Sequence, residues 1–372
     1  MGILQRHITR EILLSFAIAF VVITFLLLVG EVFHELADRF VNKGLSLSEL
    51  GAITFYILPP LTAYTMPVSL LFATLIVFIQ LSQDCEIIAM KASGIPLRRV
   101  FSPAIVIGIV VTLFLLAVQT EVAPWAHRRL KVFLIEMVLR KPTLVLSEQS
   151  WTHEVNNMRI FVGRIDGSRM ELKDVNIRVS GEKEPDRTIV AEAGKIYLSD
   201  NREKIFLQLS EGSIHEYDKE QPDRYSTTTF SRLTIPVSIG AIDRYMKRYR
   251  ALDSLARREM SLGEITRELH DPSVSSSERR SLLRLVGERT ALAFMPLTFA
   301  LIGAPLGIIP YKTRRFYGLV VCAGLVLAYY SLLIAGETLS RKDVLNPVVA
   351  MWIPNLFLGA TGVSLIIRSE RR

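Results

Sequence analysis

Cysteine is nearly absent: the 372-residue chain has two, Cys85 in a charged turn and Cys322 inside an apolar run. The pair supports neither a disulfide framework nor a cysteine metal site. No Gly-x-x-x-x-Gly-Lys-Ser/Thr loop occurs, so the chain has no P-loop to cradle nucleotide phosphates. A second histidine is missing where a zinc-protease helix needs it. In His34-Glu35-Leu36-Ala37-Asp38 the position one turn on is Asp38, so two imidazoles cannot reach one metal. That stretch reads as a solvated helix end, and an intramembrane hydrolase rests on nothing else.

Long apolar runs are what the chain has instead. Residues 12–32, 50–81, 100–118, 291–309, 318–335 and 348–367 are each long enough to cross a bilayer as a helix, which takes about 20 residues. A soluble domain needs no such set. The first run is too long for a cleavable signal and lacks its small-residue cleavage pattern. The expected architecture is a polytopic α+β membrane protein with six crossings.

The formal net charge is +8, and its placement is topological. Arg6 and Arg10 precede the first crossing, and Lys91, Arg98 and Arg99 lie between the second and third. Lys312, Arg314 and Arg315 lie between the fourth and fifth, and Arg368, Arg371 and Arg372 follow the sixth. The short loops of the opposite face hold only Arg39 with Lys43 and Arg341 with Lys342. This bias predicts cytoplasmic termini and an outward-facing middle segment, and argues against a nucleic-acid partner.

Prolines 59, 60 and 67 in the second run predict a kink or an interfacial lead-in, with the crossing itself starting near Tyr64. After the third run come Val122-Ala123-Pro124-Trp125, an interfacial anchor, and the basic residues Arg128, Arg129 and Lys131. Clustered cations outside the membrane suit headgroup phosphates. The next 95 or so residues (145–239) change character: five strand-like stretches with β-branched and aromatic residues alternate with turn signals. They predict a β-sandwich or jelly roll. His153 and His215 have no catalytic spacing there and read as surface. Ser275–Ser277 before Glu278 predicts a capped helix leading into the fourth crossing. Gly303, Gly307, Gly318, Gly324 and Gly336 predict close helix packing, and Glu337 is marked as a lining residue. The expected domains are residues 1–140 (three crossings), 141–243 (β-domain), 244–288 (helical connector) and 289–372 (three crossings).

The stretch Asp84-Cys85-Glu86-Ile87-Ile88-Ala89-Met90-Lys91-Ala92-Ser93-Gly94 lies between two crossings. Glu86, Ala89 and Met90 fall at i, i+3 and i+4, and Gly94 with Pro96 stops the helix. A short helix held there is suited to being gripped by a soluble partner. With the three-plus-three arrangement, the Val122-Ala123-Pro124-Trp125 stretch and Pro305-Leu306-Gly307, it resembles the LptF/LptG permeases of the lipopolysaccharide exporter, and Asn42-Lys43-Gly44 with Ala335-Gly336-Glu337 is more like the LptF member.

The resemblance implies an ABC transporter permease of the bacterial inner membrane, multi-pass, with an inserted periplasmic β-jelly roll. It implies a heterodimer with a paralogous LptG-like permease, a cytoplasmic LptB-like ATPase dimer and a single-helix LptC-like partner. It carries ATPase coupling onto Asp84, Glu86, Ala89, Met90 and Gly94. It carries lipopolysaccharide binding onto Arg39, Lys43, Arg128, Arg129, Lys131, Glu337, Arg341 and Lys342. No catalytic residue, metal or cofactor of its own is expected, since ATP is used by the partner ATPase. The alternative is a mechanical transducer that relays ATPase motion to a periplasmic partner without carrying substrate.

Overall fold

In a bilayer the backbone must satisfy its own polar groups, so long apolar runs fold as helices. The computed structural model describes residues 2–43, 46–140, 151, 158–166, 171–179, 186–198, 204–217, 225–238, 259–272, 274–308 and 317–371. The helices are α1 (Ile3–Lys43), α2 (Leu47–Gln83), α3 (Glu86–Ala92), α4 (Leu97–Ala117), α5 (Ala123–Arg140), α6 (Leu262–Leu269), α7 (Ser276–Ile308), α8 (Tyr317–Arg341) and α9 (Pro347–Arg371). Among the described residues six helical segments are long and apolar enough to cross a membrane. The chain divides into two compact units, one of Met1–Gly30, Phe55–His127 and Arg257–Arg372, the other of Glu31–Thr54 and Arg128–Ala256.

Prolines 59, 60 and 67 do not end the helix. α2 runs unbroken from Leu47 to Gln83 through Pro59, Pro60 and Pro67. Thr62 Oγ1 donates to the Pro59 carbonyl at 2.7 Å, and the stretch beyond is held by the burial of Leu70, Leu71, Ala73 and Leu75. Packing here outweighs the lost backbone donors. The third crossing does not stop at residue 118 either. α4 passes through one wide π turn (Val118–Val122) into α5, just ahead of Pro124, which has no N–H for the Thr120 carbonyl.

α7 lies close against α2. A Cβ at Gly307 would fall 2.6 Å from Phe78 Cβ, and one at Gly303 would fall 3.1 Å from Leu71 Cδ1. Gly336 of α8 abuts the Ala350 carbonyl of α9, which Pro354 deprives of its helical partner. Gly324, by contrast, meets none of the described residues within 4 Å. A buried polar seam joins these helices: Asn355 Nδ2 donates to the Ala291 carbonyl at 2.8 Å and Thr298 Oγ1 to Asn355 Oδ1 at 3.0 Å. The described part of the connector is a helical hairpin of α6 and the start of α7 around Ile265, Leu282 and Leu285. Each helix opens with a capping box, Ser261 with Glu264 and Ser275 with Glu278. Buried Arg289 donates to the Met260 carbonyl at 2.6 Å.

The second unit carries β1 (Met158–Asp166), β2 (Glu171–Val179), β3 (Asp186–Leu198), β4 (Lys204–Tyr217) and β5 (Tyr225–Ser238). They form one antiparallel sheet in sequence order, so among the described residues the strands make a meander. One face is apolar, built on Ile160, Val162, Leu172, Val175, Ile177, Ile189, Leu207 and Leu209.

Simple alternation fails at one row. The ladder skips the pairings that would join Gly163, Asp174, Glu192, Glu211 and Ser231, one residue from each strand, yet the register is the same on both sides. Asp174 (φ 54°) and Glu211 (φ 50°) are left-handed there. In β2 the buried series jumps from Leu172 to Val175, with Lys173 and Asp174 both exposed between them. The same burial step recurs in β3, where Glu192 and Ala193 are exposed between Ala191 and Gly194, and the sequences of the other strands carry the matching step at 162–165, 209–212 and 230–233. Each strand therefore carries an extra outward residue at the same height. The sheet creases along that row, as it does at bulges, while its apolar face stays continuous. Gly163 and Gly212 line the crease because a Cβ would strike Asp174 Cβ from the first and the Val190 carbonyl from the second.

Candidate coupling helix and outer cations

Two left-handed residues bracket α3. Cys85 (φ 57°) turns the chain out of α2, and Gly94 (φ 76°) turns it into α4. Beyond Ala92 the Ile95 amide donates to the Met90 carbonyl at 3.0 Å and the Gly94 amide to the Lys91 carbonyl at 2.9 Å. This is the paired C-terminal stop that glycine best accommodates. The seven-residue helix is thus defined at both ends by its own backbone.

Its faces differ from the sequence expectation. Glu86, Ala89 and Met90 do not present one surface: Ala89 is exposed, Glu86 half-buried and Met90 buried. Met90 and Ile87 join a core with Ile8, Ile12, Leu97, Val100 and Phe101. Met90 is therefore a root of the helix and not part of its outward face. Successive helical residues are turned by about 100°, so Ala89 and Met90 fall on either side of the boundary. The outward face is Asp84, Cys85, Ala89, Lys91 and Ile88, whose side chain is 66% exposed. Burial of such an aliphatic side chain against a partner would gain about 1.5–3 kcal/mol.

The cations expected outside the membrane fall in both units. In the second unit Arg128 and Arg129 are exposed and Lys131 half-buried on α5. Arg39 and Lys43 lie at the end of α1, their side chains outside the described ones. In the first unit Arg341 grips Glu337 one turn back, Nη2 to Oε1 at 2.6 Å and Nε to the same oxygen at 3.0 Å. Glu337 is thereby the partner of Arg341 on the exposed end of α8. Lys342 is exposed beside them. Asp343 pairs with Arg280 of α7, and Arg284 Nε donates to Ser340 Oγ at 3.4 Å, so the α8–α9 turn is tied to the connector hairpin. Lys312, Arg314 and Arg315, the His34 motif's side chains and His153 lie outside the described residues or side chains. His215 is not bare surface: Ser213 Oγ lies 2.9 Å from its Nε2 and Thr227 Oγ1 3.3 Å from its Nδ1.

A family model for the lipopolysaccharide export system permease LptF/LptG matches residues 6–368, nearly the whole chain. The chain belongs to the LptF/LptG family. It is a multi-pass membrane permease of lipopolysaccharide export, with a five-stranded sheet set between its two groups of crossings. A further relative is an uncharacterized protein, RP871, of Rickettsia prowazekii (strain Madrid E), 19% identical over 257 residues, or 69% of this chain and 68% of the relative.

Sequence reasoning passed over two features of this LptF/LptG chain. Ile88 sits among four consecutive apolar residues (87–90) and carries no periodic signal of its own direction. The crease of the sheet did have a signal, the apolar-x-x-apolar step recurring once in each strand, which period-2 alternation conceals.

Proposed function

We propose that the chain is an inner-membrane permease subunit, LptF-like, that takes lipopolysaccharide from the outer leaflet and passes it through the β-domain to a periplasmic bridge. The work is done by a separate cytoplasmic ATPase that docks on α3. The observation that carries this reading is the exposed Ile88 on a helix defined at both ends and rooted in the core. A contact that must transmit force needs a rigid base and an apolar knob, and α3 has both.

The proposed assembly is a heterodimer with a paralogous LptG-like permease, an LptB-like ATPase dimer below and a single-helix LptC-like partner. The termini and α3 face the cytoplasm and the sheet faces the periplasm, in line with the basic bias of the loops. Arg39, Lys43, Arg128, Arg129, Lys131, Arg341 and Lys342 meet the phosphorylated sugar, with Glu337 orienting Arg341. The apolar face of the sheet suits acyl chains, each CH₂ of which costs roughly 0.8 kcal/mol in water.

The test is co-purification of the detergent-solubilised complex with Glu86→Lys. Loss of the ATPase supports docking on α3, and wild-type stoichiometry refutes it. Photo-crosslinkers at Val175 and Leu207 then separate transport from the transducer alternative: lipid adducts support a conduit, and their absence under turnover removes it.

A further inference from the structure

The first turns of α1 belong to the core in which α3 is seated. Ile8 and Ile12 are fully buried, in the core cluster that holds Ile87 and Met90 of α3. Farther along, most of the described α1 surface is exposed, with Ile18, Val21, Phe25 and Leu26 all more than 60% accessible. The attachment of α1 to its unit is thus weighted toward its first turns. A polar tie lies there as well. Gln5 Nε2 donates to Ser102 Oγ at 3.2 Å, and Ser102 Oγ donates to the Arg99 carbonyl at 2.9 Å, which Pro103 leaves without a helical donor. Gln5 therefore reaches the second turn of α4, the helix that follows the Gly94 stop.

We propose that Gln5, Ile8 and Ile12 are positioning residues for energy coupling: they brace α3 from beneath and set how much of the ATPase's movement reaches the crossings. This rests on the reading that α3 is the ATPase contact. None of the three faces the docking surface, so their effect passes through α3 and through the start of α4. An initial helix that served only to enter the bilayer would need neither a polar bond to α4 nor two fully buried isoleucines in the core that also seats Ile87 and Met90.

The test uses the complex co-purified with its ATPase and partner permease, reconstituted in proteoliposomes loaded with lipopolysaccharide, with ATP hydrolysis and lipopolysaccharide release measured together. For Gln5→Ala and Ile8→Ala we expect the ATPase to remain bound and release per ATP to fall by roughly two- to thirty-fold, the range of remote coupling residues. Ile8→Leu should recover most of the ratio. Gln5 is only half-buried, so its variant folds even if the isoleucine cavity does not. An unchanged ratio in Gln5→Ala and Ile8→Ala overturns the brace, and so does an Ile8→Leu ratio as low as that of Ile8→Ala. Failure of the underlying reading looks different: there Glu86→Lys keeps its ATPase, whatever the release ratio.

Discussion

Replacing Gly94 isolates one physical cost at the candidate site. At φ 76° a residue with a Cβ is strained by its own backbone, yet nothing lies within 4 Å of the position that Cβ would take. The penalty is therefore backbone strain alone, about 1–2 kcal/mol for alanine. Asparagine tolerates this region better, and valine, being β-branched, tolerates it worse. A seven-residue helix has no stability of its own, so the loss falls on its last turn. The amides that report it are Ser93, Gly94 and Ile95, bonded to the carbonyls of Ala89, Lys91 and Met90. Hydrogen exchange of a peptide covering residues 84–96, in the purified complex, should quicken about five- to thirty-fold in Gly94→Ala. Gly94→Asn should fall between wild type and alanine, and Gly94→Val beyond alanine. ATPase retention should follow the same order. Equal exchange in wild type and Gly94→Ala, or faster exchange with asparagine than with valine, would refute the argument that the left-handed stop holds α3 in shape.

Ile88 and Met90 should separate cleanly. Ile88→Ala weakens ATPase retention by roughly ten-fold, as expected for most of a buried aliphatic side chain, with no loss of thermal stability. Met90→Ala costs about 2–5 kcal/mol of stability as a core cavity. A melting curve set beside a co-purification gel decides it. Gly307→Leu should lower the yield of folded protein, because a side chain there meets Phe78 and the backbone of α2, and size-exclusion chromatography reads the loss. Asp174→Gly should relieve a left-handed residue in the crease and slow hydrogen exchange in β2, by up to about 1 kcal/mol. Gly212→Val should do the reverse, since its side chain would meet the Val190 carbonyl.

Much of this molecule can be read from sequence because its strongest signals are local. Six runs need a bilayer, five alternating stretches need a sheet, and serines at 261 and 275 cap helices with glutamates three residues on. These follow from solvent and from backbone hydrogen bonding within a few residues. The continuity of α2 through its prolines is less local: each lost donor is a local cost, and the helix continues because Leu70, Leu71 and Leu75 are buried farther along.

The sequence alone determined the crossings, the strands and the place of the short helix between the second and third crossings. Only the tertiary structure decided which way that helix faces, with Met90 turned inward and Ile88 outward, because four consecutive apolar residues have no phase until a neighbour buries one side. It alone also set the first turns of α1 in the core that seats that helix and lined up one row across five strands. Those are contacts between residues distant in sequence, and periodicity along a chain does not encode them.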